Sequence, residues 1–77
     1  MITFNKDIDD FNRGDKIKIH SLDDAFANLD WKGKEGVVEQ IDYSDNCLRG
    51  SWGKIQVYPE YDDIEILEHN ELKPIGK

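Results

Sequence analysis

The run Lys16-Ile17-Lys18-Ile19-His20 alternates strictly between apolar and polar side chains. Successive side chains of an extended chain point to opposite faces. The pattern therefore buries Ile17 and Ile19 and leaves Lys16, Lys18 and His20 in water. A half-buried strand needs neighbours, because its backbone groups and its apolar face must both be satisfied. The chain supplies them as short apolar runs: 36–43, 47–52, 54–58 and 64–67. Between them lie turn-forming stretches: Ser44-Asp45-Asn46, Gly53, and Pro59 to Asp63. In the second run Val38 and Ile41 lie on opposite parities, so both are buried only if a bulge falls near Glu39-Gln40. Bulges of this kind curl a short sheet toward closure. In the third run Leu48 and Trp52 share a face, and Gly50 between them permits close approach. Ile55 and Val57 point inward in the fourth.

Before the first strand, Phe4, Ile8 and Phe11 are spaced for one face of a short helical turn, which packs its aromatic side onto the domain. Arg13-Gly14-Asp15 reads as a turn. Residues 21–36 form a long first loop, opened by a turn or brief helix start at Ser21-Leu22-Asp23-Asp24. Phe26 and Leu29 are expected to plug one end of the core from this loop, while Trp31 is read either as a plug or as an exposed contact. The expected fold is all-β: a small five-stranded SH3-like barrel, residues 13–67, with a long first loop. It is preceded by an N-terminal arm or helical turn, 1–12, and followed by a flexible tail, 68–77. With 38% hydrophobic residues in 77, the core is thin, and such a chain is marginal unless a partner or a homo-oligomer adds stability.

Charge narrows the partners. Seventeen acidic against ten basic residues give a net charge of -7. That balance argues against direct nucleic-acid binding and against anionic membranes. One cysteine, Cys47, allows no intrachain disulfide, and Met1 to Asp7 lacks the basic-then-apolar pattern of a secretory signal. The expected setting is the reducing cytoplasm.

The ordered set Gly14-Asp15-Lys16-Ile17-Lys18-Ile19, Asp23-Asp24, Leu29, Gly33-Lys34-Glu35-Gly36-Val37-Val38, Ile41-Asp42, Tyr58-Pro59 and Asp63-Ile64-Glu65-Ile66-Leu67 resembles a family of short bacterial and phage proteins. This is the domain-of-unknown-function 4314 family, and the resemblance covers roughly residues 11–67. Its Gly-x-x-Gly-x-Val element is similar to the opening turn of KOW-type SH3-like barrels. The resemblance implies a fold, and a phage or mobile-element origin, but no activity. Ala25-Phe26 departs from the family's usual Pro-aromatic pair, and Trp52 stands closer to the next strand than in the family pattern.

Catalytic chemistry finds little support. His20, Cys47 and His69 stand singly, without the close pairs of a zinc site, so neither metal nor cofactor is expected. Cys47 has no evident base, and Asp23-Asp24 and Asp62-Asp63 read first as turn-capping pairs. The expected protein is therefore not an enzyme but a binding module for a partner protein or peptide. The expected groove is edged by Trp31, Trp52, Tyr58, Pro59 and Tyr61, with Asp23, Asp24 and Asp30 across it. Aromatic rings beside carboxylates suit a proline-rich or basic peptide. The alternative is a phage counter-defence protein of one of two kinds. Arg49 with Lys16, Lys18, Lys32, Lys34 and Lys54 would serve an oligomeric sponge for a nucleotide-type immune signal. Glu60, Asp62, Asp63, Glu65, Glu68 and Glu71 would instead serve an acidic DNA mimic.

Overall fold

The structure, a computed structural model, describes residues 4–70. Five strands are joined in chain order: β1 (Lys16–Ser21), β2 (Glu35–Asp42), β3 (Cys47–Gly50), β4 (Gly53–Val57) and β5 (Asp63–Glu68). A seven-residue helix, α1 (Ala25–Trp31), lies in the first long connection. All pairings are antiparallel, and the strand order is β4-β3-β2-β1-β5. The fold is a small all-β, SH3-like barrel.

The bend that curls the sheet sits in β2. Its first half pairs with β1, Val37 opposite Lys16 and Glu35 opposite Lys18. Its second half turns to β3, Val38 opposite Gly50 and Ile41 opposite Leu48, with a register shift between Val38 and Gln40. The parity conflict between Val38 and Ile41 is thus resolved by the expected bulge: Val38 is buried and Ile41 packs against the core edge. Gly50 answers the same geometry. A Cβ there would collide with the Val37 carbonyl and the Trp52 ring.

Phe11, Ile17, Ile19, Leu22, Val38, Leu48, Trp52, Val57 and Ile64 form one buried cluster. Phe11 enters it from a single 3₁₀ turn, Ile8–Asp10, whose N-cap is Asp7. The expected helical turn with its aromatic side on the domain is therefore present, and the Phe4 ring lies 5.2 Å from that of His20.

Two expectations are corrected. Residues 21–36 are not one irregular loop, because Asp24 caps a helix by accepting from the N–H groups of Phe26 and Ala27. That cap sets the phase of α1. Ala27, Asn28 and Trp31 face the barrel: the Asn28 carboxamide oxygen accepts from the Leu22 N–H at 2.8 Å, and Trp31 lies over Gly53. Phe26 and Leu29 consequently point away and are 84% and 82% exposed, so they plug nothing. At the other end, β5 runs through Glu68, and Asn70 donates its N–H to Asp15. Residues 68–70 of the expected tail are therefore tied to the barrel; residues 71–77 lie outside the described residues.

Candidate binding groove

Two buried carboxylates hold the loops that build the surface. Asp62 is 4% exposed. Its Oδ1 accepts from the Asp23 N–H and its Oδ2 from the Tyr58 N–H, each at 2.8 Å. One side chain thus clamps the β1–α1 turn to the β4–β5 turn. Asp15, fully buried, does the same at the opposite end. It accepts from the Asn12 N–H at 2.8 Å, from the Asn70 N–H, and contacts His69 Nδ1 at 3.1 Å. Neither clamp is visible in the sequence, which marks both positions only as turn residues. A carboxylate reaching backbone N–H groups of another turn has no local signature.

Above the Asp62 clamp lies a groove of about 410 Å³. Its walls are Leu22, Asp23, Asp24 and Ala27 on one side, Lys54, Ile55 and Gln56 of β4 on the other, with Tyr58 and Tyr61 at the end. Of the residues expected to edge the groove, Asp23, Asp24, Tyr58 and Tyr61 therefore meet here, whereas Pro59, which is buried, and Asp30 do not line it. The two tyrosine rings are 6.5 Å apart and tilted. Tyr61 is 62% exposed, and the Glu60 carboxylate beside it raises its phenol pKa. Lys54 is the one basic side chain lining the groove.

Trp52, Trp31 and Arg49 are placed elsewhere. Trp52 is a core residue rather than a contact: only 6% of it is exposed, and its indole N–H donates to the Ile55 carbonyl. The β3–β4 turn folds it under Gly50. Trp31 is half-buried, packed against the core edge beside β4, and does not line the groove. Arg49 lies on β3, with its guanidinium 3.8 Å from Asp42.

Some of the remaining charges are partnered. Lys6 bonds Asp63 at 2.7 Å and the Asp62 carbonyl, and Ser21 donates to the other Asp63 oxygen. Lys6 and Ser21 hold the Asp63 carboxyl below the usual range. His20 meets Glu65 at 2.7 Å, and Lys16 approaches Glu35 at 3.8 Å. Of the acids read as a DNA-like face, Asp62 is consumed internally, Asp63 and Glu65 are paired, and Glu71 lies outside the described residues. Cys47 is buried, which raises its thiol pKa. Among the described residues no cluster of His, Cys, Asp or Glu is placed to hold a metal ion, and no helix is long and apolar enough to cross a membrane.

A small barrel carrying a clamped, aromatic-ended groove is what fold and surface define. Compared with known proteins, the chain matches no family model, no curated protein and no solved structure.

Proposed function

We propose that this protein is a non-enzymatic binding module of the cytoplasm that takes an extended basic, proline-rich segment of a partner protein into the groove between Asp23-Asp24 and Tyr58-Tyr61. Kinship with the short bacterial and phage family, resting on the ordered motifs from Gly14 to Leu67, belongs to the same proposal. One observation carries it. Acids from the β1–α1 turn and aromatics from the β4–β5 turn, far apart in sequence, line one groove over a shared buried clamp. A polyproline-type chain is already extended, so it loses little entropy on docking against rings. Arg or Lys side chains beside it meet carboxylates whose loop is already fixed.

The test is calorimetric titration with a synthetic Pro-x-x-Pro peptide flanked by arginines, against the same composition scrambled and against a glutamate-flanked version. Binding to the first alone is expected, weakening with salt and falling at least about tenfold in Tyr61→Ala and Asp23→Asn. Equal binding of the scrambled peptide, or affinity unmoved by Tyr61→Ala, refutes the proposal.

A further inference from the structure

The segment that clamps the groove is itself held by the N-terminal arm. Asp62 ties the two walls together with its side-chain oxygens. The main-chain carbonyl of the same residue accepts from Lys6 Nζ at 3.1 Å, and Lys6 also donates to Asp63 Oδ1 at 2.7 Å. The other Asp63 oxygen accepts from the Ser21 hydroxyl at 2.8 Å. Through Asp63, Lys6 thus reaches the end of β1, from which the Asp23 wall departs. The arm is fastened beside Lys6 as well. The Asn5 N–H donates to the Ile64 carbonyl at 3.3 Å, and the Phe4 ring packs 5.2 Å from that of His20. Residues 4–6 are therefore laid along the start of β5, and Lys6 does not line the groove.

We infer that Lys6 is a positioning residue for the groove: it fixes the main chain of Asp62 so that one carboxylate meets both turns. The role rests on the proposed peptide groove for its occupant, but not for its geometry. A carboxylate accepts from two backbone N–H groups at once only where its own backbone is held, because both bonds are directional. An ammonium carries three donors, so Lys6 holds a carbonyl and a carboxylate together, which a neutral apolar side chain of the same length cannot do. The Lys6–Asp63 pair is 47% and 39% exposed, so its contribution to the whole fold is small. Its effect falls instead on local opening of the 62–63 segment, which takes less free energy than global unfolding. The arm is therefore a control point for a surface it does not touch, and displacing it loosens the groove while the barrel stays folded.

The test compares Lys6→Met and Lys6→Arg with the parent in the whole chain. Amide hydrogen exchange of the free protein is expected to run about fivefold faster at Asp23 and Tyr58 in Lys6→Met. The Ser44 and Asp45 amides, held by Asp42 in another turn, should be unchanged. Lys6→Arg, which keeps charge and donors, should retain most of the protection. Calorimetry with the arginine-flanked Pro-x-x-Pro peptide should show affinity about threefold to fivefold weaker in Lys6→Met and close to the parent in Lys6→Arg. Unchanged exchange at Asp23 and Tyr58, with only core amides such as Ile17 and Leu48 accelerated, would mean that Lys6 serves global stability alone, and overturns the inference. So do equal losses in both variants, or faster exchange with peptide affinity unmoved. A parent chain that binds no peptide refutes the peptide reading, while the exchange measurement still decides the role of Lys6.

Discussion

Replacing Asp62 by asparagine changes one oxygen to an amino group and nothing in size. The carboxylate accepts two backbone N–H groups at 2.8 Å, from Asp23 and Tyr58. Asparagine has one acceptor, so one N–H faces a donor instead. A hydrogen bond to a charged acceptor contributes about 1.5–3 kcal/mol, and a buried orphan donor costs a similar amount rather than a further sum. The expected loss for Asp62→Asn is therefore about 2–3 kcal/mol. Asp62→Ala orphans both groups and should lose about 4 kcal/mol. At about 0.05–0.15 kcal/mol per residue, a chain of this length holds roughly 4–12 kcal/mol in total. The asparagine variant should fold and the alanine variant should approach the limit. Urea titration followed by the fluorescence of the buried Trp52 measures the change; with a slope of about 1 kcal/mol/M, the Asp62→Asn midpoint should fall by roughly 2–3 M. Hydrogen exchange should show the Asp23 and Tyr58 amides losing protection before the β1 amides do. A variant within about 0.5 kcal/mol of the parent would refute the clamp.

Trp52→Ala removes a buried ring and should cost about 3–5 kcal/mol, read by the same denaturation monitored at 222 nm ellipticity. Gly50→Ala must displace the Val37 carbonyl or the Trp52 ring and should cost about 1–3 kcal/mol. For Asp63, a folded pKa below the unfolded value of about 3.9 means stability present above that value and lost as pH falls through the folded one. Because Lys6 and Asp63 are 47% and 39% exposed, the difference between parent and Asp63→Asn should not exceed about 1 kcal/mol at pH 7 and should vanish once the pH has fallen through the folded pKa. Cys47, buried with a raised thiol pKa, should resist a thiol reagent in buffer and react promptly in urea; equal rates in both would contradict its burial.

The strands were legible because alternation is a local signal. Ile17 and Ile19 declare their face, and the parity clash between Val38 and Ile41 declares a bulge before any partner strand is known. The helix was not legible, because its phase is set by the Asp24 cap and by the Asn28 bond to Leu22, not by its apolar residues. Hydrophobicity placed Phe26 and Leu29 inside, whereas the cap and the fit of Trp31 over Gly53 turned them out. The tryptophans show the same limit: an aromatic on a short strand reads equally as wall or as core until the turn beneath it is known. Asp23, Asp24, Tyr58 and Tyr61 were legible as turn residues that could edge a groove, although the sequence did not show that Asp24 also caps α1. What holds those turns together depends on long-range bonds from Asp62, which no window of sequence contains.

A buried carboxylate is a costly way to join two loops in so small a domain, since its desolvation must be offset by the bonds it makes. An apolar contact between the turns would cost less but would leave the Asp23 and Tyr58 N–H groups without partners. It would also leave the turns free to slide, because apolar contacts carry no direction. Two directed bonds from one rigid side chain fix both backbones at once, and the Tyr58 carbonyl further accepts from Tyr61 and Asp62. The acid wall and the ring wall are then set before anything binds. Ordering a loop and its side chains on binding costs about 0.5–1.5 kcal/mol per immobilised side chain, so a groove clamped in advance keeps more of its contact energy as affinity. On this reasoning Asp62→Asn should weaken peptide binding more than its 4% exposure suggests, with the loss appearing chiefly as a less favourable binding entropy. A variant that loses stability but binds with unchanged affinity and entropy would separate the clamp from the groove.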